Sequence, residues 1–197
     1  LGCTTVICTD KTGTLTCNEM TVKKVFVSGE EADVMGSGYA PAGGFFSGGK
    51  SISVDRFSLL LKTGVLCNNA ALKDGGIVGD PTEGSLLVSA AKAGIDFSVL
   101  HEQYPRVDEN PFDSARKMMS TVHAIQGKKK KYALFAKGAP DVLIHKCNYW
   151  LSHGKVIALT PAMKKEILEK NAEFASSALR VLGFAYKEIS SLKDATE

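Results

Sequence analysis

Residues 117–137, KMMSTVHAIQGKKKKYALFAK, contain the pattern that decides the fold class. Two apolar segments, 117–125 and 131–137, are separated by Gln126, Gly127 and a run of lysines, an arrangement typical of a β-hairpin. We interpret the lysine run as the solvated tip of the hairpin, in preference to a contact with anionic lipid. The segment therefore predicts two neighbouring antiparallel strands.

Helical patterns occur on both sides of this hairpin along the chain. Residues 80–83, Asp-Pro-Thr-Glu, predict a helix with Asp80 as its N-cap, and Gly94 marks its end. The spacing of apolar residues predicts another helix over residues 55–72. A third helix begins after the cap at Thr160 and continues to about residue 179.

Further strands are predicted at residues 3–9, 20–28 and 180–189, and the glycine-rich residues 29–53 are expected to form hairpins and loops. Strand pairs are thus separated by helices, without a strict alternation of single strands and helices. This order predicts an α+β fold with a mainly antiparallel sheet flanked by helices.

The composition is that of a globular protein without a nucleic-acid partner. The chain has 197 residues, of which 44% are hydrophobic and 23% are charged, and its net charge is +3, too small for a basic binding surface. No apolar run reaches the ~18 residues of a membrane span, so we expect the chain to be soluble. We also expect it to be a monomer. Five cysteines without a CxxC pair indicate a reducing compartment, and the first residue, Leu1, suggests a piece of a longer polypeptide.

A carboxylate and a Gly-Thr loop follow the first predicted strand, in residues 8–16, CTDKTGTLT. Asp10 is expected at the carboxyl end of that strand, where α/β sheets present ligands. Aspartate is a covalent nucleophile toward ATP, Lys11 is suited to offset phosphoryl charge, and the amides after Gly13 are suited to hold phosphoryl oxygens. The alternative is an ordinary surface turn.

This stretch resembles the phosphorylation signature of the P-type cation-pumping ATPases, within the haloacid dehalogenase-like superfamily. The resemblance implies that Asp10 is phosphorylated in the intact pump and that Lys11, Thr12, Gly13 and Thr14 complete the catalytic loop. It also implies a Mg²⁺ site that includes Asp10 and Thr12. Simple phosphatases of the superfamily carry a second Asp, the general acid/base, where this chain has Thr12, so slow hydrolysis of the acyl phosphate is expected.

Four later motifs extend the resemblance over nearly the whole chain, in the order found in the nucleotide-binding domain of that family. They are Gly79-Asp80-Pro81-Thr82-Glu83, Pro111-Phe112-Asp113-Ser114 followed by Arg116 and Lys117, Lys137-Gly138-Ala139-Pro140, and Leu179-Arg180-Val181-Leu182. They are most similar to the calcium and sodium/potassium pump branch.

The resemblance also implies a domain organisation and partners. Residues 1–19 would be a piece of the phosphorylation domain with a hinge, 20–190 the nucleotide-binding domain, and 191–197 the start of the return linker. The implied ligands are ATP and Mg²⁺. The implied partners are the remaining phosphorylation, actuator and transmembrane domains of the parent chain, at the cytoplasmic face of a membrane.

Six residues in these motifs have chemistry suited to an adenine nucleotide: Glu83, Phe112, Lys117, Lys137, Gly138 and Arg180. Phe112 is suited to stack on the adenine ring or, alternatively, to fill the core under a proline turn. Glu83 is suited to accept a hydrogen bond from the adenine amino group or, alternatively, to complete a capping box.

The cations among these residues are expected to face an anionic or polarisable ligand. Lys117 and Lys137 stand within apolar segments, where a solvated position is less natural. Gly138 allows the backbone to approach a ligand closely. Arg180 is suited to a bidentate phosphate contact or, alternatively, to a favourable position at a helix C-terminus.

A Walker A match suggests a rival nucleotide-binding function. Residues 44–51, GFFSGGKS, match the Walker A pattern, but no buried strand precedes them and no helix is expected to begin at Lys50 and Ser51, so we reject a P-loop NTPase. Ser114 stands where some calcium pumps of the family carry Arg, and Arg116 is the nearby candidate to replace that Arg.

Two other functions are the remaining rivals. A free phosphatase is disfavoured by Thr12, and an interaction module with an empty pocket is the non-enzymatic alternative. We expect this chain to bind ATP without turnover.

Overall fold

The chain is described by a computed structural model that covers residues 5–6, 19–73, 75–128 and 131–195. The loop with Asp10, Lys11, Thr12, Gly13 and Thr14 lies outside these ranges, and so does most of the strand predicted at 3–9. Every strand pairing within them is antiparallel. The predicted α+β class with antiparallel sheets is therefore confirmed.

Twelve strands and five helices follow one another along the described ranges. They are β1 Lys24–Val27, β2 Glu30–Val34, β3 Phe45–Ser47, β4 Lys50–Ser51, α1 Ser58–Leu66, β5 Ala71–Lys73, β6 Gly76–Val78, α2 Pro81–Lys92, α3 Phe97–Gln103, β7 Arg106–Asp113, β8 Met118–Ala124, β9 Tyr132–Gly138, α4 Pro140–Leu143, β10 Tyr149–Ser152, β11 Lys155–Ala158, α5 Pro161–Ser176 and β12 Gly183–Ile189. Short 3-10 turns occupy Asp55–Phe57, Ile144–Lys146 and Leu192–Ala195.

The strands form two four-stranded sheets and two separate hairpins. The first sheet has the order β1-β2-β3-β4 and the second has the order β12-β9-β8-β7. The pairs β5-β6 and β10-β11 are the hairpins. The predicted hairpin of residues 117–137 is confirmed as β8 and β9, which lie at the centre of the second sheet.

Helix α1 joins the two sheets through one hydrophobic core. Its residues Leu61, Val65 and Leu66 pack in the same cluster as Phe45 of the first sheet and Phe135 of the second. Full burial of such side chains contributes about 1.5–3 kcal/mol each. Helices α2 and α3 pack beside α1, and α1 lies against one face of the second sheet, where it contacts β9 and β12.

The opposite face of the second sheet carries a smaller cluster. Met118 of β8 and Ala136 of β9 pack there with Leu143 of α4. Helix α4 also contacts β12 and α5. The second sheet is thus covered on both faces, which explains why β8 is almost continuously buried where one-sided strands alternate.

Helix α2 begins and ends as its sequence predicts. The side chain of Asp80 accepts hydrogen bonds from the backbone N–H groups of Thr82 at 2.8 Å and Glu83 at 3.2 Å. Pro81 occupies the first helical position. Gly94 follows the last turn with φ +73°, a conformation that costs glycine little.

The other two predicted helices are shorter than expected. Helix α1 ends at Leu66, before residue 72, because Cys67 leaves the helical conformation and Asn68 Nδ2 caps the free carbonyl of Gly64 at 2.9 Å. Residues 71–73 instead form β5. Helix α5 ends at Ser176, before residue 179, because Ala178 adopts a left-handed conformation with φ +58°.

Some strand positions also differ from the prediction. The strand predicted at 20–28 is limited to β1, and the strand predicted at 180–189 begins at Gly183, so Arg180 lies in the preceding loop. Strand β7 was not predicted, because its sequence RVDENPFD does not alternate and contains Pro111. Proline is tolerated there because β7 is an edge strand with a bulge between Asn110 and Asp113.

The Walker A match is a β-hairpin. Residues 45–47 and 50–51 form β3 and β4, and the turn between them consists of Gly48 and Gly49 with positive φ values. No helix begins at Lys50, so the rejection of a P-loop is confirmed. No helix in the described part of the chain is long and apolar enough to cross a bilayer.

A fully buried histidine lies within β8. The ring Nδ1 of His123 is 2.7 Å from the carbonyl oxygen of Tyr104, which can only accept, so Nδ1 carries the proton. Nε2 is 3.0 Å from the Thr121 hydroxyl. Burial lowers the pKa of His123 from 6.5 to about 4, and the positive charge of Arg106 adds to this effect.

We expect His123 to destabilise the fold progressively as the pH falls from 6.5 to 4. The unfolded chain binds a proton in this range and the folded chain does not, so stability rises with pH. Between pH 7 and pH 5 the loss is about 2 kcal/mol. Chemical denaturation of the wild type and of His123→Gln at both pH values tests this, because the variant should lose about 2 kcal/mol less. Equal losses would contradict it.

Candidate nucleotide-binding site

The second sheet brings the predicted site residues to one end. Asp113, Met118, Gly138 and Gly183 pair side by side across its four strands. Phe112, Lys117 and Lys137 each stand one residue before a member of this row, and Arg180 stands three residues before Gly183. We call this end of the sheet the strand-end edge. It gathers residues from three consecutive strands, β7 to β9, and from the loop before the distant strand β12.

An ion pair links this edge to helix α2. Lys137 Nζ lies 2.5 Å from Glu83 Oε1, and the two side chains are only 9% and 16% exposed. Lys137 lies on β9, and Glu83 lies in the first turn of α2. Removal of either partner would leave a nearly buried charge without compensation. The pair therefore constrains where α2 sits relative to the sheet.

The carboxylate of Glu83 binds Lys137 and Asn69 and does not complete a capping box. Its second oxygen accepts the backbone N–H of Asn69 at 3.0 Å, while Asp80 caps the helix. The alternative that the Glu83 side chain completes a capping box is therefore wrong. Each carboxylate oxygen has two lone pairs, so both keep acceptor capacity for a further donor.

Two glycines allow α2 to approach its neighbours closely. A Cβ on Gly84 would lie 2.5 Å from Ile77 of β6, and a Cβ on Gly79 would lie 2.9 Å from the Cα of Ala70. Gly79 also has φ +121°. These contacts explain the two glycines of the motif that surrounds Glu83, because larger residues would push the helix away.

Phe112 is presented to solvent at the end of β7. Its side chain is 64% exposed, which is unusual for a large aromatic residue and contradicts the alternative of a core phenylalanine. The guanidinium of Arg116 turns back and donates to the carbonyl oxygens of Asn110 at 3.0 Å and Pro111 at 2.9 Å. Arg116 thus braces the segment that carries Phe112, so these donors are not aimed at a phosphate.

Lys117 and Gly138 form the close crossing between β8 and β9. Lys117 is exposed and has a positive φ of +53°. A Cβ on Gly138 would lie 2.5 Å from the Lys117 carbonyl oxygen and 2.6 Å from the Cβ of Met118. Gly138 is therefore required by strand packing, a reason that its sequence context alone does not give.

Arg180 reaches the start of α2 from the loop before β12. Its NH1 donates to the hydroxyl of Thr82 at 3.0 Å, and the residue is exposed. The two neighbours Thr82 and Glu83 thus contact Arg180 and Lys137 respectively. Lys117, Lys137 and Arg180 bring positive charge to the strand-end edge, which also carries the carboxylates of Glu83 and Asp113, so an anionic ligand would find cationic partners there.

Three residues near Glu83 were missed by the sequence analysis. Asn68 Nδ2 donates to the carbonyl oxygen of Glu83 at 3.0 Å, and the backbone N–H of Asn69 donates to its carboxylate. Arg106 holds the same segment in place, since its guanidinium donates to the carbonyl oxygen of Asn68 at 2.5 Å. The signal for Asn68 and Asn69 is their place just after the apolar residues of α1, where asparagine is typical of the end of a helix.

A cavity of about 650 Å³ lies away from this edge, on the first sheet, and its lining residues are Gly29, Glu30, Glu31, Ser47, Ile52, Ser53, Arg56 and Phe57. None of the predicted site residues lines it. Its charged groups are already paired, Glu30 with Arg56 and Glu31 with Lys24 and Lys170. The candidate site is consequently the open strand-end edge, and not this cavity.

The predicted magnesium ligands, Asp10 and Thr12, lie outside the described residues. Within the described ranges, no group of three or more His, Cys, Asp or Glu side chains is arranged to hold a metal ion. The buried Cys67 lies near the site, and burial raises the pKa of its thiol. A neutral thiol is a poor ligand and nucleophile.

Comparison with known proteins gives a consistent family. A family model described as the P-type ATPase, cytoplasmic domain N, matches residues 56–197. The chain is 42% identical over 194 residues to calcium-transporting ATPase 1 of Lactococcus lactis, a match that covers 98% of this chain and 20% of that protein. It is 40% identical to a calcium-transporting ATPase of Bacillus subtilis, covering 96% and 22%.

A mammalian relative shows the same extent of similarity. The chain is 39% identical over 194 residues to calcium-transporting ATPase type 2C member 1 of Bos taurus, covering 94% of this chain and 20% of that protein. The chain spans about a fifth of the length of these relatives. It belongs to the P-type ATPase family, and residues 56–197 correspond to the cytoplasmic domain N. The family suggested by the later motifs is confirmed.

Proposed function

We propose that this chain is the ATP-binding domain of a cation pump, of the calcium-transporting type, that works at the cytoplasmic face of a membrane. Three observations support ATP as the ligand: a solvent-facing Phe112, a carboxylate of Glu83 oriented by Lys137, and the cations Lys117 and Arg180 at the same edge. The similarity to calcium-transporting ATPases supports calcium as the transported ion. The placement of Phe112 and Lys137 at the same end of the second sheet, with Lys137 bound to Glu83, carries the proposal.

The base end of the nucleotide would be held by Phe112 and Glu83. Phe112 offers an exposed ring face for stacking, a contact worth about 1–3 kcal/mol per base. Glu83 accepts the hydrogen bond of the adenine amino group with a lone pair that Lys137 and Asn69 leave free.

The phosphate end would be held by the cations of the strand-end edge. Arg180 presents a planar fork of donors suited to phosphate oxygens, and its contact with Thr82 orients it toward α2. Lys117 adds charge from the start of β8, and Lys137 neutralises Glu83. Gly138 keeps the backbone of β9 close to the ligand without a side chain in the way.

Phosphoryl transfer to Asp10 is the proposed use of the bound nucleotide in the intact pump. Asp10 and Thr12 would hold Mg²⁺, whose charge neutralises the transferred phosphoryl group. Residues 1–19 would be a piece of the phosphorylation domain with a hinge, and residues 191–197 would be the start of the return linker, so that both would form connections between the two domains. Transfer requires the two domains to close on each other, and the hinge is expected in these connections.

Titration with ATP and AMP, followed by NMR or calorimetry, tests the site. We expect a dissociation constant between about a millimolar and tens of micromolar, because one wall of the closed site belongs to other domains. Phe112→Ala should weaken ATP and AMP about equally, since both carry the base, whereas Arg180→Ala should weaken ATP more than AMP.

Lys50→Ala is the matched control, because it removes a lysine from the Walker A match on the first sheet and should bind as the wild type does. No saturable change with several millimolar ATP would refute the proposed function. Equal effects of Arg180→Ala on ATP and AMP would remove Arg180 from the phosphate contact.

A further inference from the structure

Arg106, the first residue of β7, binds the segment that follows α1. Its NH2 donates to the carbonyl oxygens of Leu66 at 2.8 Å and Asn68 at 2.5 Å. Its NH1 donates to Asn69 Oδ1 at 2.6 Å and to Glu109 Oε2 at 2.9 Å. Three charge-assisted hydrogen bonds from one guanidinium, which Glu109 also holds, thus fix residues 66–69, which we call the 66–69 segment, against the sheet.

The 66–69 segment in turn fixes Glu83. The backbone N–H of Asn69 donates to Glu83 Oε2 at 3.0 Å, and Asn68 Nδ2 donates to the Glu83 carbonyl oxygen at 3.0 Å. Lys137 binds the other carboxylate oxygen. The plane of the carboxylate is therefore defined by two donors, one of which depends on where the 66–69 segment lies.

We infer that Arg106 is a positioning residue for purine recognition: it holds the 66–69 segment so that the Glu83 carboxylate presents a free lone pair to the 6-amino group of adenine. The inference rests on the proposed function, because it concerns the same site. Arg106 itself contacts no base in this arrangement and acts through Asn69 and Glu83.

The role requires arginine and not only a positive charge. The guanidinium has donors in a fixed planar fork, so that NH1 and NH2 reach Asn69 and the two carbonyl oxygens of the segment at the same time. A lysine at this position keeps the charge beside Glu109 but cannot span three acceptors. Arg106→Lys therefore separates positioning from electrostatics.

The test compares ATP with inosine triphosphate, which carries an oxo group where adenine has its 6-amino group and has the same triphosphate. Arg106→Lys should weaken ATP about fivefold, as expected for one hydrogen bond, and change the affinity for inosine triphosphate by less than about twofold. Glu83→Gln should lower the same ATP preference. The double variant should add little to Glu83→Gln alone, because both changes act on one contact.

Two further variants separate positioning from general stability. Arg56→Lys makes the same substitution in an ion pair with Glu30 on the first sheet and should leave both affinities unchanged. Asn69→Ala keeps the N–H to Glu83 but removes one acceptor of Arg106, so it should lower the ATP preference less than Arg106→Lys does. Thermal unfolding of each variant establishes that it is folded at the titration temperature.

The outcomes distinguish this inference from the proposed function. If Arg106→Lys and Asn69→Ala weaken both triphosphates equally, Arg106 only stabilises the fold and the inference is wrong. If Glu83→Gln lowers the ATP preference but neither of these variants does, the inference alone fails. If Glu83→Gln leaves the preference unchanged, the adenine contact of the proposed function fails, and the inference fails with it.

Discussion

Replacement of Glu83 with alanine should lower the free energy of unfolding by about 3 kcal/mol, because it strands the ammonium group of Lys137 in a nearly buried position. The same change should abolish measurable ATP binding. It removes the proposed acceptor for the adenine amino group, and it leaves the 66–69 segment without its carboxylate partner. Chemical denaturation and nucleotide titration measure the two effects.

An exposed ion pair provides the matched control. Lys165 and Glu169 lie 3.6 Å apart on α5 with side chains that are 77% and 67% exposed, so Glu169→Ala should cost less than about 0.5 kcal/mol. The double variant Glu83→Gln, Lys137→Met should regain most of the stability, since no charge is then buried. If Glu83→Ala costs no more than Glu169→Ala, the pair does not stabilise the fold.

The second large effect is expected for Gly138→Ala. Its Cβ would lie 2.5 Å from the carbonyl oxygen of Lys117 and 2.9 Å from the Cα of Met118, and both are backbone atoms that a rotamer change cannot move. Strands β8 and β9, the two inner strands of the sheet, would have to separate at the strand-end edge, at a cost of about 3 kcal/mol. Because Lys117 and Lys137 flank this crossing, ATP binding should weaken as well.

Gly76→Ala is the control for this prediction. Gly76 lies on the short strand β6, and an added Cβ would have its nearest neighbour, the Lys73 carbonyl oxygen, at an ordinary distance of 3.6 Å. Its effect should be below about 1 kcal/mol. A loss for Gly138→Ala as small as this would mean that the strands accommodate a side chain at the crossing.

The ends of two helices illustrate how far the sequence predicts local structure. Both α2 and α5 end in a Schellman motif, in which Ile95 and Leu179 donate back to the carbonyl oxygens of Ala90 and Phe174 at 3.1 Å. In α2 the left-handed position is Gly94, which local rules recognise. In α5 it is Ala178, a residue that seldom adopts this conformation, so the prediction extended the helix too far.

The site shows the same division between local and tertiary information. Glu83, Phe112 and Arg180 stand in recognisable motifs, and the sequence was sufficient to propose them. That Glu83 binds Lys137 and Asn69, and that Arg116 braces the segment before Phe112, depends on contacts between distant parts of the chain. Arg106 has no motif of its own, since its four acceptors belong to a segment and a neighbour that only folding brings together.

The predicted site residues on the second sheet lie at the end opposite the turn that joins β8 to β9. Each of these strands has seven residues, which places that turn roughly 20 Å from the strand-end edge. Gly127, shortly after the end of β8, is exposed and has open space around it. The turn is consequently the natural attachment point for a fluorescent reporter or a peptide tag, which would leave nucleotide access unobstructed.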